Sequence, residues 1–271
     1  MRCGFCFATF QDFFPEHLPK GHLPAEDAKL LVDNIAEAGF DKINFAGGEP
    51  TLCSWLPELI ERAKGYGMTT SIVTNGSLIT ETYLDKVNRY LDWIGLSIDT
   101  LDGDTQKRMG RAVRGTHPMT EGEYLQCVNA IRRRGIRLKI NTVVTSMNWG
   151  EDLTRFIRLA KPERWKVFQV LPVIGQNDDR IAEFVVSKSQ FESYVKRCRI
   201  VEGDDIHVVP ESNELMTRSY VMVSPDGRFF DNTNGKHAYS TPILEVGVTR
   251  ALREVRIDFE RFRMRGGQYA W

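Results

Sequence analysis

Residues 42–50 read Lys42-Ile-Asn-Phe-Ala-Gly-Gly-Glu-Pro50, which places a short strand directly before a glycine turn. In folds that alternate strands and helices, ligands bind at the carboxyl end of the strands. Two glycines let the backbone approach a ligand closely, and the proline fixes the direction in which the chain leaves the turn. Glu49 is then a fixed carboxylate suited to a ligand ammonium. Taken alone, the pattern is equally typical of an ordinary strand–helix turn.

The order of strand and then helix recurs along the chain. Strands are predicted at residues 42–46, 70–74, 93–99, 137–144 and 164–171, and helices at 25–38, 56–64, 80–90, 120–134, 152–160 and 189–199. This alternation predicts parallel strands with helices outside, in a barrel or in a doubly wound sheet. A capping box of Ser189 and Glu192 is predicted to open the last helix. Beyond about residue 205, a Ser-Pro-Asp-Gly turn between residues 220–223 and 228–230 predicts a β-hairpin.

Polar side chains recur on one face of the predicted strands. Side chains at i and i+2 share a face of a strand. The residues that share a face are Lys42 with Asn44, Ser71 with Val73 and Asn75, Ser97 with Asp99, Lys139 with Asn141, and Arg164 with Lys166. Helices on both sides of the sheet would bury these charges, at several kcal/mol for each unpaired ion. A barrel leaves them in a wet interior. We therefore predict an α/β fold, a partial and open (βα)6 barrel whose C-terminal β-hairpin and extension close the active site.

Four cations, Lys42, Lys139, Arg164 and Lys166, would then converge on one cavity. A polyanion relieves their mutual repulsion most simply. A nucleoside triphosphate carries roughly four negative charges and accepts both bidentate arginine contacts and point-charge lysine contacts. In the alternative interpretation, these side chains lie at strand ends and are solvated or paired in salt bridges.

Two cysteines, Cys3 and Cys6, stand at the start of the chain with an aromatic residue before the second. The pair looks like the end of a Cys-x-x-x-Cys-x-x-Cys run, which holds three irons of a four-iron cluster. The first cysteine of that run would lie two residues before Met1, so we expect it, and the strand before it, to be missing from this sequence. A zinc half-site and two unpaired thiols are the alternatives. The five cysteines are an odd number without a disulfide framework, which indicates a reducing compartment.

Length and charge set further bounds. The 271 residues fit one large domain at residues 1–200 with an extension at residues 201–271. The 36 basic and 36 acidic residues cancel, which argues against nucleic-acid binding driven by bulk charge. No apolar run approaches the length of a membrane span and no signal-peptide pattern occurs. We expect a cytoplasmic protein, a monomer, with no membrane segment in this sequence.

Taken together, the Cys-x-x-Cys pair, a helix, a strand and the Gly-Gly-Glu-Pro turn resemble the layout of radical S-adenosylmethionine enzymes. The resemblance implies a [4Fe-4S] cluster on Cys3 and Cys6, with S-adenosylmethionine as the second cofactor. It assigns Glu49 and the backbone of Gly47 and Gly48 to the methionine ammonium. The other cofactor contacts that it implies are Asn75, Ser97 and Arg111, with Phe7 and Thr9 on the adenosine.

Further blocks resemble the viperin-like enzymes of this superfamily, in the same order from Cys3 to Tyr269. They are Ile72-Val-Thr-Asn-Gly-Ser-Leu-Ile79, Lys139-Ile-Asn141, Arg164-Trp-Lys-Val-Phe-Gln169, Val209-Pro-Glu-Ser-Asn213 and Arg265-Gly-Gly267. This resemblance implies conversion of a pyrimidine nucleoside triphosphate, CTP or else UTP, to its 3′-deoxy-3′,4′-didehydro form, which terminates viral RNA synthesis. An external electron donor is also implied.

The same resemblance implies roles for the polar residues. It places the triphosphate on Lys42, Lys139, Asn141, Arg164 and Lys166. It places Tyr220 and Arg265 near the ribose and base, with Tyr220, Lys139 and Asn141 as the candidate catalytic residues and Tyr220 as a proton or hydrogen-bond donor. Two alternatives stay open: a radical enzyme with another substrate, such as a peptide or cofactor maturase, and a nucleotide-binding protein without chemistry.

Overall fold

The computed structural model describes residues 1–11, 18 and 21–269, so the last two residues of the predicted extension lie outside it. Its main element is a six-stranded parallel sheet whose strands pair in chain order. The strands are β1 (Lys42–Phe45), β2 (Thr69–Thr74), β3 (Trp93–Ser97), β4 (Arg137–Val144), β5 (Arg164–Gln169) and β6 (His207–Glu211). A doubly wound sheet reverses its strand order at a switch point, and this sheet does not. The predicted barrel type is confirmed, and within the described residues the barrel is not closed, because β1 and β6 do not pair.

Helices connect the strands and cover the outer face of the sheet. They are α1 (Ala25–Glu37), α2 (Leu56–Gly65), α3 (Glu81–Val87), α4 (Gly103–Met109), α5 (Glu121–Arg133), α6 (Thr154–Ala160), α7 (Lys188–Cys198), α8 (Asn213–Met216), α9 (Ile243–Val246), α10 (Val248–Arg253) and α11 (Phe259–Met264). All six predicted helices occur, and their ends differ from the predicted ones by a few residues. Helix α4 and the short helices α8 to α11 were not predicted; the mostly polar sequence of α4 gives little apolar periodicity. No helix in the described part of the chain has the length and apolar character to span a membrane.

One predicted helix cap is wrong. The hydroxyl of Ser187 accepts the backbone N–H of Gln190 at 3.2 Å, and the Gln190 side chain accepts the backbone N–H of Ser187 at 2.9 Å. The capping box therefore lies two residues before the predicted pair of Ser189 and Glu192. Both pairs have a hydroxyl residue followed three positions later by Glu or Gln, so the pattern alone could not choose between them.

The outer face of the sheet forms the main core. Ile72, Ile140, Trp165 and Val167 are fully buried there against the helices. Burying one side chain of this size contributes about 1.5–3 kcal/mol. The opposite face, called the inner face below, carries Lys42, Lys139, Arg164 and Lys166. The alternation in each strand thus separates a packing surface from a polar one.

The C-terminal part of the chain adds a small sheet and covers one end of the large one. Its strands are β7 (Met222–Val223), β8 (Phe229–Asp231) and β9 (Ala238–Tyr239), which pair antiparallel in chain order. The predicted hairpin corresponds to β7 and β8, and β9 was not predicted. The main sheet continues past residue 200, because β6 pairs with β5.

Candidate active site

The inner face brings polar side chains from neighbouring strands to common levels. Lys139 is paired in register with Arg164, and one level further toward the carboxyl ends Asn141 is paired with Lys166. Ser97 of β3 is paired with Asn141 on the other side. Paired residues point to the same face of a sheet, so these five side chains form two adjacent rows.

Three of the predicted cations meet at one tyrosine from the C-terminal segment. The Lys42 ammonium donates to the Tyr269 hydroxyl at 2.9 Å, and the Lys139 ammonium donates to the same oxygen. The Arg164 guanidinium lies 3.8 Å from the centre of the Tyr269 ring and donates to the Gly266 carbonyl oxygen at 2.9 Å. Cations from β1, β4 and β5 therefore converge on a space about the size of one side chain.

Two residues of β3 that sequence reasoning missed lie beside Lys139 on the inner face. The Trp93 ring lies under the Lys139 ammonium, 4.4 Å from ring centre to nitrogen. Gly95 is paired in register with Lys139. A Cβ at Gly95 would lie 3.2 Å from the Asn141 amide nitrogen and 3.3 Å from a Val73 methyl carbon. The signal was available, since the alternation in β3 puts a glycine at an inner-face position.

Burial makes these cations hard to keep charged. It lowers the pKa of Lys42 to about 7, with repulsion from Lys166 and Arg164 adding to the effect. It lowers the pKa of Lys139 to about 5, with repulsion from Lys42 and Lys166 as the next causes. A bound anion would offset both effects, because an opposite charge favours the protonated form. The site is therefore electrostatically suited to a polyanion.

A second cluster surrounds the fully buried carboxylate of Glu211, at the end of β6. Lys166 approaches this carboxylate at 2.8 Å, and the Tyr220 hydroxyl donates to it. The Lys166 ammonium also donates to the Tyr220 hydroxyl oxygen at 3.1 Å. The Arg265 guanidinium lies 3.6 Å from the centre of the Tyr220 ring, and one of its nitrogens lies 3.6 Å from Glu211. The structure thus brings Tyr220 and Arg265 to the inner face, and it adds Glu211, to which sequence reasoning assigned no role.

Asn141 lies between these two clusters. Its side-chain oxygen is buried and accepts no hydrogen bond within the described residues. Buried polar atoms in native proteins nearly always have a partner. The oxygen is therefore suited to a donor supplied by a ligand, such as a sugar hydroxyl.

The glycine turn after β1 has the predicted geometry. The Glu49 carboxylate accepts the hydroxyls of Thr51 and Thr74, each at 2.6 Å, and the backbone N–H of Asn75 at 2.8 Å. These bonds fix the carboxylate. A Cβ added at Gly47 or Gly48 would meet no atom within 4 Å, so the space beside the turn is open to a ligand.

The loop with Cys3 and Cys6 is attached to the end of α4. Backbone bonds run from Arg2 to Gly110 at 2.9 Å and from Gly4 to the carbonyl oxygen of Met109 at 3.2 Å. Gly110 is required there, because a Cβ would lie 2.0 Å from the Arg2 carbonyl oxygen.

Arg111 joins this loop to β3. Its guanidinium pairs with Asp99 at 3.2 Å, donates to the Ser97 carbonyl oxygen and lies 3.9 Å from the Cys3 sulfur. Burial raises the pKa of the Cys3 thiol, and the charge of Arg111 opposes that shift. The predicted cofactor residues Ser97 and Arg111 are therefore brought to the cysteine loop.

The far side of the cysteine loop rests on a buried amide that the sequence analysis missed. The Thr9 hydroxyl donates to the Gln176 carbonyl oxygen at 2.7 Å, and the Phe10 N–H donates to the Gln176 side chain at 2.6 Å. The Phe7 ring is exposed and lies 6.5 Å from the ring of His237. Phe7 and Thr9 thus lie between the cysteines and the small C-terminal sheet.

The loop fits an iron–sulfur cluster with two thiols. Cys3 and Cys6 lie in one turn, where the Cys6 N–H donates to the Cys3 carbonyl oxygen at 3.2 Å. In the part of the chain that the structure describes, no three His, Cys, Asp or Glu side chains come together in a metal-binding group. The loop thus presents two thiols within one turn, and thiols are the side chains that iron–sulfur clusters use as ligands.

Comparison with known proteins agrees with this geometry. Residues 1–160 match the family model described as the radical SAM superfamily. The chain is similar to solved radical SAM structures at low identity. Native anSMEcpe with bound AdoMet and Kp18Cys peptide is 15% identical, with a TM-score of 0.69 over 97% of this chain and 78% of that one. SuiB of Streptococcus suis bound to S-adenosylmethionine is 18% identical, with a TM-score of 0.61 over 84% of this chain and 56% of that one.

Relatives of higher identity share one name, S-adenosylmethionine-dependent nucleotide dehydratase. The proteins from Lacinutrix mariniflava and Flammeovirga pacifica are each 51% identical over the whole chain, which covers 56% of the first and 92% of the second. The protein from Danio rerio is 38% identical, and the chain covers 74% of it. The chain therefore belongs to the radical SAM superfamily, which uses a [4Fe-4S] cluster and S-adenosylmethionine, and within it to the family of S-adenosylmethionine-dependent nucleotide dehydratases.

Proposed function

We propose that this chain dehydrates a pyrimidine nucleoside triphosphate, CTP in preference to UTP, to the 3′-deoxy-3′,4′-didehydro nucleotide. The convergence of Lys42, Lys139 and Arg164 on one small space carries the proposal. Because burial weakens the charged forms of both lysines, a ligand with several negative charges gains most by binding there. The relatives named nucleotide dehydratases support a nucleotide as that ligand.

The cofactor site lies at the other end of the same strands. In this proposal Cys3 and Cys6 hold the cluster, and Glu49 with the Gly47–Gly48 backbone receives the methionine ammonium of S-adenosylmethionine. The predicted roles of Asn75, Ser97, Arg111, Phe7 and Thr9 as further cofactor contacts complete it. When bound, the cluster and S-adenosylmethionine supply an organic radical that removes a hydrogen atom from a substrate carbon.

The protein's own residues then fix the position of the substrate. The phosphates are held by Lys42, Lys139 and Arg164, and Asn141 and Lys166 lie one level further toward the carboxyl ends of the strands. The ribose lies toward the carboxyl ends of the strands, near Tyr220 and Arg265. This placement aligns the sugar and excludes water, which is the main contribution that a protein makes to such a reaction.

The overall reaction is the loss of one water molecule. The hydrogen atom of C4′ would pass to the adenosyl group to give 5′-deoxyadenosine. The C3′ hydroxyl would leave as water with a proton from the site and one electron from the external donor, so that the product has a double bond between these carbons. A nucleotide without a 3′-hydroxyl cannot be extended by a polymerase. In this proposal the product is therefore an antiviral chain terminator, and an external electron donor serves the cluster.

An anaerobic assay of the reconstituted protein tests the proposal. CTP, UTP, GTP and ATP are added separately, and release of 5′-deoxyadenosine and of the dehydrated nucleotide is measured. We expect release that depends on an added triphosphate and is greatest with CTP. Release without dependence on any triphosphate would indicate a radical enzyme with another substrate. If the protein holds its cluster and binds a triphosphate but releases neither product, the result would indicate a nucleotide-binding protein without chemistry.

A further inference from the structure

Glu211 is a buried acid in a site otherwise lined by cations. Its side chain has no exposed surface, and it lies at the end of β6, where it is paired in register with Phe168. Lys166 of β5 is paired with Val209, two residues earlier on the same face. The strand register thus delivers Glu211 one level beyond Lys166, toward the carboxyl ends of the strands.

The contacts of Glu211 join three groups into one unit. One carboxylate oxygen lies 2.8 Å from the Lys166 ammonium, and the other accepts the Tyr220 hydroxyl. Lys166 also donates to the Tyr220 oxygen at 3.1 Å, which closes a triangle of contacts. The Lys166 ammonium compensates the charge of this buried acid, whereas a buried acid that loses its counter-charge is strongly destabilised.

The triangle fixes the direction of the Tyr220 hydroxyl hydrogen and leaves one of the three Lys166 hydrogens for a ligand. Burial, followed by the charge of Glu211, raises the pKa of Tyr220 well above its usual value, so the phenol keeps its hydrogen. Because that hydrogen points at Glu211, the Tyr220 oxygen can only accept hydrogen bonds from the substrate side. Burial lowers the pKa of Lys166, and Glu211 opposes that shift most strongly. Lys166 is then the donor of the unit.

We propose that Glu211 is a positioning residue that holds Tyr220 and Lys166 as one hydrogen-bonding unit for the ribose hydroxyls of the nucleotide. This inference rests on the proposed function, because it takes the phosphate-binding cations to be Lys42, Lys139 and Arg164. It gives Tyr220 a hydrogen-bond-accepting role in place of the proton-donating one considered from the sequence.

The proposal predicts that Glu211→Gln affects KM and the turnover rate differently. Glu211→Gln removes one negative charge from the site. The net positive charge then stays the same if Lys166 loses a proton, and rises by one unit if Lys166 keeps it. In neither case does the attraction for a triphosphate fall, so KM is not expected to rise. The turnover rate falls, because Tyr220 and Lys166 are no longer held in one geometry.

The test compares Glu211→Gln with a matched control. Glu163→Gln removes the same charge from an exposed position just before β5, where the side chain accepts the Leu138 N–H at 2.8 Å. With CTP, we expect Glu211→Gln to lower kcat by about 10-fold or more, with KM within about 3-fold of the parent value. The alkaline limb of its pH profile should move to lower pH, because Lys166 loses its counter-charge. Glu163→Gln should match the parent.

A double-mutant cycle tests whether the three groups act as a unit. Tyr220→Phe, Glu211→Gln and the double variant should lower kcat by similar factors, since removing any part disrupts the whole. Effects on kcat that multiply would overturn the proposal, as would a kcat of Glu211→Gln within about 2-fold of the parent. If Glu211→Gln does not fold, Lys166→Met with Glu211→Gln removes both charges together, which a buried site tolerates better. A kcat near the parent's in that folded variant would overturn the proposal.

A binding measurement separates this inference from the proposed function. The parent should bind CTP about 2- to 3-fold more tightly than 3′-deoxycytidine triphosphate, and Glu211→Gln should bind both ligands with the affinity that the parent has for the 3′-deoxy compound. If the parent binds CTP but releases no 5′-deoxyadenosine, the proposed function fails and this comparison still tests Glu211. Equal discrimination of the two ligands by parent and variant would contradict the role of Glu211.

Discussion

Lys139 is an inner-face cation whose pKa burial lowers to about 5. It lies over the Trp93 ring, beside Gly95, and donates to the hydroxyl that Lys42 also contacts. We predict that Lys139→Ala raises the dissociation constant of CTP by about 10- to 100-fold, the loss expected for one charged hydrogen bond. Calorimetry should detect this, with the affinity for S-adenosylmethionine unchanged.

Lys188→Ala is the control for that experiment. The Lys188 side chain is 88% exposed on α7, so its removal takes away the same charge outside the site. Unchanged affinity for CTP in Lys139→Ala would refute its role in binding phosphate.

Both inner-face lysines also predict a dependence of binding on pH. Lys42, with a pKa of about 7, and Lys139, with a pKa of about 5, are partly or largely neutral at neutral pH. A triphosphate raises both pKa values, so its binding takes up protons between the free and the bound values. We predict that affinity for CTP falls as pH rises from about 6 to 9. Calorimetry in buffers of different ionisation enthalpy should record net proton uptake, and proton release on binding would contradict the account.

At the residue scale, functional side chains at alternate positions of a strand could be predicted from the sequence. Side chains whose contacts come from far along the chain could not. Lys139 and Arg164 were predictable because charges at alternate positions of apolar strands must share a face. Glu211 was not, because its meaning depends on Tyr220 and Arg265, which reach it only through the folded C-terminal segment. Gln176 supports the cysteine loop through a similarly distant contact.

At the scale of elements, the cap of α7 gives a stability test with an internal control. Ser187→Ala removes the acceptor for the Gln190 N–H and should lower the free energy of unfolding by about 1 kcal/mol. Ser189→Ala, at the position that the sequence favoured, should have a smaller effect, because within the described residues its hydroxyl contacts the Ser187 hydroxyl at 3.1 Å and no backbone N–H. Urea denaturation of the two variants decides between the caps, and a larger loss for Ser189→Ala would contradict the assignment.

The position of Tyr269 in the C-terminal segment leads to a second prediction at the scale of elements, which concerns the affinity for CTP. The Tyr269 phenol fills the space between Lys42, Lys139 and Arg164 that the proposal gives to phosphate. The segment must therefore shift when a triphosphate binds. We predict that Tyr269→Ala lowers the dissociation constant of CTP by about 3- to 10-fold, because fewer contacts have to be broken. A weaker affinity in this variant, measured by calorimetry, would show instead that the phenol is part of the bound site.

Elements with a strong period were predictable, and those with mixed signals were not. Strand β4 was predicted to the residue, because its first five residues alternate between polar and apolar side chains. Strand β6 was missed as a member of the main sheet. It contains Pro210, which cannot donate to a ladder and is tolerated at an edge of the described sheet.

At the scale of the whole molecule, the charged side chains on one face of the strands favoured a barrel over a doubly wound sheet. Cations on β1, β4 and β5 can reach a single phenol only if the sheet curves strongly. A flat sheet would separate β1 and β4 by three strand spacings of about 4.8 Å each. The polar faces of the strands thus predicted a barrel, and they predicted that the cations point into its interior. The closing C-terminal segment could not be derived in the same way, because its contacts follow no period.

The central claim is that the inner-face cations bind the phosphate groups of a nucleotide. Calorimetric titration of the protein with CTP, CDP, CMP and cytidine tests it most directly. We predict that binding weakens by about 10-fold with each phosphate removed, because each phosphate forms at least one charged hydrogen bond, and that Lys139→Ala flattens the series. Equal affinity for CTP and cytidine in the parent protein would contradict the claim.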